Sequence, residues 1–395
     1  MCFLVSYLSE RYDIPIRIAY CTNVRLPSER AHGHQIAQVC DALVHLGHGV
    51  TLFAPCRRNL IQQNYHAYYG AERGVELRYL NAFDNNRYPM PLGLPGLYLA
   101  NASLRRALRR ALDTERFDLL YTRSPGLLTA LLHRGTPVIL ELHQLPRLGR
   151  RSFVRNCNAC TRVICLTSPM RDELLQWGVD ASKLFVEGDA VDLRGFQRMP
   201  STHEARTNMG FQTNRIVVGY VGRLKTLGME KGVSDLLHAL RITKAEQTFF
   251  GLVVGGPNQD KKQYEEMAKV LKLTGDDVRF TGAVPATTVP TALAACDVLV
   301  MPFPDIPHYR KYMSPLKMFE YMASGKPIIT SDLPTVRDVL DEKTAFFCEP
   351  GNAHSLASRL QHLLTAKAEA AQRAARAREL VTEYTWEKRM ERILA

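Results

Sequence analysis

Short runs of β-branched and other apolar residues alternate with longer stretches of helical periodicity along almost the whole chain. In the first half, such runs predict strands at residues 16–23, 50–55, 118–124, 137–143 and 162–168. The second half repeats the pattern, with strands predicted at residues 216–222, 248–256, 278–284, 297–304, 326–331 and 344–350. Strands that alternate with amphipathic helices are typical of βαβ units and a parallel sheet. The pattern therefore predicts an α/β protein with two doubly wound, Rossmann-like domains.

A polar stretch with little periodicity separates the two halves. We place the N-terminal domain at residues 1–195, the linker at 196–213 and the C-terminal domain at 214–375. Residues 376–395 are predicted to form a helix that packs back on the first domain. Doubly wound sheets bind ligands in the crevice outside the carboxyl ends of their strands. We therefore expect the two domains to face each other across a cleft that holds the site.

The composition is that of an ordinary folded protein. Its 395 residues allow about two to three domains at roughly 150 residues each. With 46% hydrophobic and 23% charged residues, disordered, collagenous and coiled-coil classes are excluded. The net charge of +12 favours partners that carry phosphate or anionic lipid. Nine cysteines, an odd number, fit a reducing cytoplasm, and we expect neither a signal peptide nor a transmembrane helix.

Several common catalytic motifs are missing from the sequence. It contains no GxxxxGKS or GxxxxGKT loop, no GxGxxG after the first strand, no GxSxG and no HExxH. NTPase, simple dehydrogenase, hydrolase and zinc-protease functions therefore lose their main support. The lone CxxC, Cys157 and Cys160, lacks a second pair, and we interpret both residues as buried structural thiols. No nucleic-acid-binding module is found, so we expect no nucleic-acid partner.

Two cations flank the start of a helix in the second half. A predicted strand runs into Gly222 and Arg223, and Lys231 precedes the helical pattern that begins at Gly232. A phosphate at this place would meet a guanidinium, an ammonium and helix amides together, which is the usual chemistry of an anion site. The alternative is a solvated basic loop without a ligand.

A second helix is predicted to start at Ser314. We expect Ser314 as the N-cap and Pro315 in the first turn, which leaves the amides around Leu316 free to donate to a phosphate. Lys317 and Glu320 follow in the first two turns. The Glu320 carboxylate can accept hydrogen bonds from a vicinal diol such as a ribose. The alternative is a glutamate that only stabilises the helix start.

These two segments, with the overall plan of the chain, resemble a GT-B glycosyltransferase, specifically glycosyltransferase family 4, over almost the whole length. The resemblance implies retaining transfer from a nucleotide sugar, with no cofactor and no essential metal. It implies that the second domain holds the donor and the first domain the acceptor. It also implies that Arg223 and Lys231 hold the donor diphosphate, and that Glu320, at the end of the family's E-x7-E motif, grips the nucleotide ribose.

The chain departs from the family pattern at two places. Tyr312 replaces the first glutamate of E-x7-E, which usually contacts the donor sugar. A tyrosine can offer a hydroxyl or pack on the sugar, but it cannot be a charged nucleophile near neutral pH. The spacer between Arg223 and Lys231 is longer than usual, which makes Lys225 a second candidate. We prefer Lys231 because it adjoins the helix start.

Two positions in the first half match donor contacts of the family. Gly33 heads the helix after the first strand, where a glycine lets the backbone approach the donor. His143 ends a predicted strand, where the family has a histidine that contacts the donor sugar. The alternatives are a helix-start glycine without a ligand and a structural histidine. Glu141 shares the strand face of His143, and His32 and His34 are expected to be surface or capping residues.

Residues 103–112 form a basic amphipathic pattern. Leu104, Leu108 and Leu112 recur at helical spacing, and arginines cluster towards the other face at positions 105, 106, 109 and 110. Such a helix either packs by its leucines or lies on an anionic membrane. In the second case the enzyme would be peripheral on the inner face of the membrane, and a lipid-linked sugar acceptor would reach the adjacent loop.

We therefore predict a cytoplasmic, retaining glycosyltransferase. It would move a sugar from a UDP- or GDP-sugar to a hydroxyl of a sugar, lipid-linked or small-molecule acceptor, in the synthesis of a glycan, polysaccharide, glycolipid or glycosylated metabolite. The expected catalytic residues are Arg223, Lys231 and His143. The expected donor contacts are Gly33, Gly222, Tyr312, Ser314, Pro315, Leu316, Lys317 and Glu320. Two alternatives remain open: a nucleotide-sugar epimerase of the same fold, and a non-catalytic nucleotide-binding partner subunit, which Tyr312 suggests.

Overall fold

The computed structural model describes residues 14–85, 93–226 and 228–395, and these fold into two units. The first unit comprises the described residues up to Asp189 together with Trp386–Ala395, and the second comprises Ala190–Thr385. The opening segment, for which we expect no signal peptide, and the loop before the basic helix lie largely outside the described residues.

The first unit is built on a parallel sheet of seven strands. They are β1 (Arg17–Cys21), β2 (Gly49–Pro55), β3 (Val75–Leu80), β4 (Leu119–Thr122), β5 (Val138–Leu142), β6 (Arg162–Cys165) and β7 (Leu184–Val186). The helices between them are α1 (Ala31–His45), α2 (Tyr65–Tyr69), α3 (Gly93–Asp113), α4 (Leu128–Leu131), α5 (Arg150–Ala159) and α6 (Ser168–Trp177). The strand order is β3, β2, β1, β4, β5, β6, β7. The order reverses beside β1, which confirms the predicted doubly wound arrangement.

The sequence pattern predicts only five of these seven strands. The two that it misses, β3 and β7, form the edges of the sheet and are only partly buried. The central strand β5 is buried along its whole length. An edge strand needs no continuous apolar run, because one side of it faces water. The apolar pattern therefore identifies the central strands and misses the edges.

The second unit contains a six-stranded parallel sheet and a small hairpin. Its strands are β8 (Ile216–Val221), β9 (Lys225–Thr226), β10 (Met229–Glu230), β11 (Phe249–Val254), β12 (Val278–Gly282), β13 (Val298–Met301), β14 (Ile328–Ser331) and β15 (Phe346–Cys348). The large sheet has the order β12, β11, β8, β13, β14, β15, and β9 pairs with β10 in antiparallel fashion. The strand order reverses between β8 and β13, so ligands are expected at the carboxyl ends of these two strands.

The helices of the second unit cover both faces of the large sheet. They are α7 (Thr202–Asn208), α8 (Val233–Ile242), α9 (Asn258–Val270), α10 (Val289–Ala294), α11 (Pro307–Lys311), α12 (Leu316–Ser324), α13 (Pro334–Arg337), α14 (Ala353–Thr365) and α15 (Lys367–Leu380). Successive residues of β8 enter opposite cores, Val217 on one face and Val218 on the other. A strand buried on both faces explains why β8 reads as a continuous apolar run.

The unit boundaries differ from the predicted domain boundaries. Residues 196–213 are predicted to form a linker, but they belong to the second unit, where α7 packs against α10. The predicted returning helix at 376–395 is also interrupted. Its first part is the end of α15 in the second unit, and only α16 (Trp386–Leu394) belongs to the first unit, where it packs against α1. Turn residues in a polar segment indicate a break in periodicity, which here lies inside a domain.

The basic helix predicted at 103–112 is the second half of α3. Leu104, Leu108 and Leu112 are buried in the first unit, as the packed interpretation predicts, while the side chains of Arg106 and Arg110 are exposed. These leucines are therefore not available to a membrane. Within the described part of the chain, no helix combines the length and the apolar character needed to cross a bilayer.

Candidate functional site

Arg223 and Lys231 lie at the two ends of the hairpin formed by β9 and β10. Within the hairpin, Lys225 is in register with Glu230. The hairpin therefore folds the spacer back on itself and returns the chain to the carboxyl end of β8. A long spacer is compatible with a paired cation site because the extra residues form this hairpin.

Arg223 and Lys231 have no counter-ion among the described residues. Among the residues that the structure describes, neither side chain forms an ion pair or a hydrogen bond to protein. Arg223 is exposed and Lys231 is half-buried. Burial and the positive charge of Arg223 lower the pKa of Lys231 to about 8. Two like charges held together in this way cost free energy, and a bound anion would remove that cost.

The charged residues of the hairpin itself have other partners. Lys225 lies 3.8 Å from the carboxylate of Asp260 and donates a hydrogen bond to Gln263. Glu230 accepts three hydrogen bonds, from the backbone N–H of Gly232 (2.9 Å) and from the hydroxyls of Ser234 (2.7 Å) and Tyr264 (2.8 Å). Because Lys225 is engaged by α9, the geometry favours Lys231 as the second cation.

Gly232 fixes the start of α8 against the loop that follows β13. Its φ is +84°, and a Cβ atom there would lie 1.7 Å from the carbonyl oxygen of Pro302. Only glycine fits this contact. The glycine next to Lys231 therefore holds the helix start at the switch point between β8 and β13.

Helix α12 is fastened to the end of β8 by a buried tyrosine. The hydroxyl of Tyr321 donates to the carbonyl of Val221 (3.0 Å) and accepts from its N–H (2.7 Å). This contact brings Lys317 and Glu320, on the same helix, to the carboxyl end of β8. The helix begins at Leu316.

The start of α12 differs from the prediction by one residue. Pro315, rather than Ser314, occupies the N-cap position, and no side chain caps the helix. The predicted helix start at Ser314 is wrong because Pro315 takes an extended conformation (φ −84°, ψ 120°) before the first turn. In the first turn the N–H of Met318 donates to the carbonyl of Pro315 (2.9 Å), and the N–H groups at the start of a helix have no carbonyl four residues earlier within the helix.

The ammonium of Lys317 is buried. It lies 3.6 Å from the ring centroid of Tyr220, and its Cε would be 3.1 Å from a Cβ at Gly222. It has no hydrogen-bond partner among the described residues. Burial and the charge of Lys231 lower its pKa far below the usual value, against the opposing carboxylate of Glu320. In this conformation Lys317 acts on an anion only through its electric field.

Among the described residues, Glu320 is the acidic side chain whose charge acts on Lys317. Burial raises the pKa of Glu320 to about 7, against the opposing charge of Lys317. Its carboxylate forms no hydrogen bond with other described residues. It is therefore available to accept hydrogen bonds from a ligand such as a ribose diol.

His308 is a candidate that the sequence analysis misses. Its helix, α11, is tied to the hairpin because the hydroxyl of Tyr309 donates to the carbonyl of Glu230 (2.8 Å). Burial and then the charge of Lys231 lower the pKa of His308. The ring of Tyr312, one turn later, lies 6.4 Å from that of His308. The position of His308 just after the strand predicted at 297–304 is the signal that marks it.

In the first unit, His143 is paired with Glu141. Its Nε2 lies 2.6 Å from a carboxylate oxygen of Glu141. Burial and the charge of Arg123 lower the pKa of His143 to about 4, against the opposing effect of Glu141. His143 is therefore neutral at pH 7, with Nε2 donating to Glu141 and the lone pair on Nδ1.

Glu141, given a minor place in the prediction, is the centre of a buried network. Its carboxylate meets four donors, Gln35 (2.6 Å), His143 (2.6 Å), Arg389 (3.1 Å) and the hydroxyl of Tyr121. Burial alone would raise the pKa of Glu141, but the charge of Arg389, followed by the hydrogen bond from His143, holds it well below the usual value. The carboxylate is therefore ionised in the interior.

Arg389 is the second residue that the sequence analysis misses. It comes from α16, is fully buried, and also donates to the carbonyl of Gly188 (2.5 Å). No local pattern distinguishes it from the exposed basic residues of the last helix. The returning C-terminal segment thus supplies the charge that neutralises Glu141 behind His143.

Gly33 is required by packing inside the first unit. A Cβ atom at this position would lie 2.2 Å from the hydroxyl of Tyr69. His32 lies 3.4 Å from the hydroxyl of Ser28, and His34 is exposed with its ring near that of Tyr69. The direct contact between Gly33 and a donor stays a prediction.

Cys157 and Cys160 are both buried and reduced in the structure. Burial raises the pKa of the Cys160 thiol to about 12. Their predicted burial is confirmed, and their role as structural thiols stays a prediction.

Replacing Arg389 should destabilise the first unit strongly. Arg389→Met leaves the buried Glu141 carboxylate without its cation, and the loss should be about 3–5 kcal/mol. Both tryptophans, Trp177 and Trp386, lie in the first unit, so tryptophan fluorescence during urea unfolding reports on this unit.

The matched control for Arg389→Met is Arg392→Met on the same helix. Arg392 pairs with the partly exposed Glu187 (2.8 Å), and its loss should cost about 1 kcal/mol or less. Equal effects of the two substitutions would contradict the assigned role of Arg389.

Comparison with known proteins adds family descriptions for both halves. "Glycosyltransferase Family 4" matches residues 33–194, and "Glycosyl transferases group 1" matches residues 215–366. A 2-deoxystreptamine N-acetyl-D-glucosaminyltransferase of Streptomyces fradiae is 29% identical over 287 residues, which are 65% of this chain and 63% of that protein. The sulfoquinovosyl transferase SQD2 of Arabidopsis thaliana is 26% identical over 68% of this chain and 54% of its own length. The chain thus spans less than two thirds of either relative.

Two solved structures share the fold. The Anabaena protein Alr3699/HepE in complex with UDP-glucose has a TM-score of 0.72 at 18% identity, covering 96% of this chain and 99% of its own. The sucrose-phosphate synthase of Thermosynechococcus elongatus has a TM-score of 0.73 at 20% identity, covering 96% and 97%. With two family descriptions that together take in most of the chain, and with this fold, the chain belongs to the GT-B glycosyltransferases of the family 4 type.

Proposed function

We propose that the chain transfers a glycosyl group from a nucleoside-diphosphate sugar, with UDP or GDP as the nucleotide, to an acceptor hydroxyl with retention of anomeric configuration. The observation that carries this proposal is the pair of neighbouring cations beside β8, Arg223 and Lys231, for which the described part of the chain provides no counter-ion. A diphosphate supplies the negative charge that this place lacks. The UDP-glucose bound by HepE is a donor of this class.

The cations act on the leaving group. As the bond between the anomeric carbon and the diphosphate breaks, charge develops on the phosphate oxygen, and Arg223, Lys231 and the first amides of α12 stabilise it. Fixed positive charges here take the place that metal ions hold in other transferases. We therefore expect no essential metal.

The resemblance to family 4 supports retention, and Tyr312 in place of the family's carboxylate favours a same-face route without a protein nucleophile. Without a protein nucleophile, the acceptor oxygen bonds to the anomeric carbon on the face from which the diphosphate leaves. The acceptor proton passes to the departing phosphate oxygen, so the step is balanced without another base.

His143 contributes as a neutral imidazole. Its Nε2 hydrogen is directed to Glu141, so Nδ1 can accept a hydrogen bond from a hydroxyl of the donor sugar. His143 therefore orients the sugar and does not supply charge.

The acceptor class and the cellular location are also part of the proposal. A cytoplasmic enzyme of glycan, polysaccharide, glycolipid or glycosylated-metabolite synthesis fits the chemistry above. A peripheral membrane contact would have to use the exposed arginines of α3 and the exposed Leu97, Tyr98 and Leu99 at its start, because the leucines farther along are buried.

A second candidate function is a nucleotide-binding partner subunit without turnover, which Tyr312 favours. Thermal-shift screening with UDP-, GDP-, ADP- and dTDP-sugars identifies the donor first, because a bound ligand raises apparent stability. Tight donor binding with no hydrolysis and no transfer to a broad acceptor panel would favour the partner subunit.

Removing either cation should abolish most of the transfer. Arg223→Ala and Lys231→Ala are each expected to lower kcat by about a hundredfold or more, the scale of losing one preorganised donor. Turnover is measured with the donor found in the screen. Lys225→Ala is the control and should change kcat little, because Lys225 is held by Asp260. Normal rates in both alanine variants would refute the site.

The proposed contact between Glu320 and the ribose can be tested by measuring nucleotide binding. Glu320→Gln is expected to weaken UDP binding about tenfold, since a carboxylate accepts stronger hydrogen bonds from a diol than an amide does. Calorimetry with UDP and 2′-deoxy-UDP separates the contact. Wild type should prefer UDP, and the variant should lose most of that preference. An unchanged preference would remove the ribose role.

The affinity for UDP should fall as pH rises from about 7.5 to 9. Lys231 has a pKa lowered to about 8 in the free protein, so it loses its charge in this range, whereas the terminal phosphate of UDP is already ionised. Lys231→Arg keeps its charge and should flatten the profile. The same pH dependence in this variant would show that another group is responsible.

A further inference from the structure

A basic pocket in the first unit is not used by the mechanism above. It has a volume of about 340 Å³ and lies beside the loops that follow β1 and β2. Three arginines line it, Arg25, Arg30 and Arg57, together with His32 and a single acid, Glu29. All of these residues belong to the first unit.

The charges of the pocket are unbalanced. Glu29 is paired with Arg25 at 2.5 Å. Within the described ranges, the side chains of Arg30 and Arg57 have no ion-pair or hydrogen-bond partner. Burial lowers the pKa of Arg57, against the opposing charge of Asp84. A half-buried guanidinium without a partner is costly in a protein and is a strong donor to an oxyanion.

Side-chain hydrogen bonds to its backbone hold the loop that carries Arg25 and Arg30 in place. The hydroxyl of Tyr69 accepts from the N–H of Ser28 (2.6 Å) and donates to its carbonyl (2.9 Å). Two further side chains donate to carbonyls of the same loop, Asn59 to Pro27 (2.8 Å) and Tyr79 to Leu26 (3.0 Å). The pocket is therefore preformed, which lowers the cost of binding.

The pocket is connected to the surroundings of His143. Arg123 donates to the side chain of Gln35 and lies 3.5 Å from the carbonyl of His32. Gln35 in turn donates to Glu141, which holds His143. Hydrogen bonds between side chains therefore link the rim of the pocket at His32 to the residues that hold His143.

We infer that this pocket binds an oxyanion, a phosphate or a carboxylate, carried by the acceptor. The inference rests on the proposed function and names the acceptor class, an anionic molecule rather than a neutral sugar. Arg57 and Arg30 contact the oxyanion, and Arg25 is held beside them by Glu29.

The test is a titration of the full chain with inorganic phosphate at constant ionic strength, followed by NMR of the arginine Nε–Hε signals. Arg57→Gln is expected to weaken phosphate binding about tenfold or more, the loss of a charge-assisted hydrogen bond. Arg30→Gln should act in the same direction. The control is Arg106→Gln on α3, an exposed arginine outside the pocket, which should leave phosphate binding unchanged. Equal affinities in Arg57→Gln and Arg106→Gln would overturn the inference.

Competition identifies what carries the oxyanion. A hexose phosphate or a hexuronic acid should displace inorganic phosphate, and the one that displaces it at lower concentration names the group. A neutral hexose should not. Displacement by neither anion would show that the pocket is not an acceptor site.

A further experiment distinguishes phosphate binding in this pocket from phosphate binding at the donor site. Saturating UDP should leave phosphate binding at Arg57 unchanged, and Arg57→Gln should leave UDP affinity unchanged. Loss of phosphate binding with UDP present would assign the pocket to the donor diphosphate and overturn the inference. Failure of both UDP and GDP to bind would instead refute the proposed transferase, with the phosphate titration still deciding the pocket.

Discussion

The site in the second unit depends on two positive charges, Arg223 and Lys231, that are held near each other without an ion-paired acid among the described residues. Arg223 and Lys231 are returned to the same place by the hairpin, and the ammonium of Lys317 is buried behind Gly222. Burial, and after it the repulsion by a neighbouring cation, lowers the pKa values of Lys231 and Lys317. Such an arrangement is stable in a folded protein only because the rest of the unit enforces it, and a diphosphate converts the repulsion into binding energy.

The first unit contains a buried negative charge instead. Glu141 lies in the interior and is balanced by Arg389 from the far end of the chain. The consequence for chemistry is indirect: an ionised Glu141 keeps the hydrogen of His143 on Nε2 and leaves Nδ1 free for a ligand. The C-terminal helix therefore contributes to the proposed site without approaching a substrate. The contact between Arg389 and Glu141 also explains why this unit includes the last ten residues of the chain.

The sequence predicts the parts of this structure that have a local cause. Alternating apolar runs identify the central strands, and the helix starts beside Arg223 and Lys231 follow from glycine and charge. What it misses depends on tertiary contacts. The ion pair of Glu141 with Arg389 joins residues far apart in the chain. The ammonium of Lys317 is buried against the ring of Tyr220. His308 is held close enough to feel the charge of Lys231 because Tyr309 ties α11 to the hairpin. The linker prediction fails for a related reason, because a polar segment can pack inside a domain.

The most direct test of the central claim is a crystal structure of the protein with bound UDP. The account predicts both phosphates at the carboxyl end of β8, with Arg223 and Lys231 within hydrogen-bonding distance of phosphate oxygens and Glu320 on the ribose. A diphosphate bound elsewhere, for example at Arg57 in the first unit, with Arg223 and Lys231 left without an anion, would contradict it.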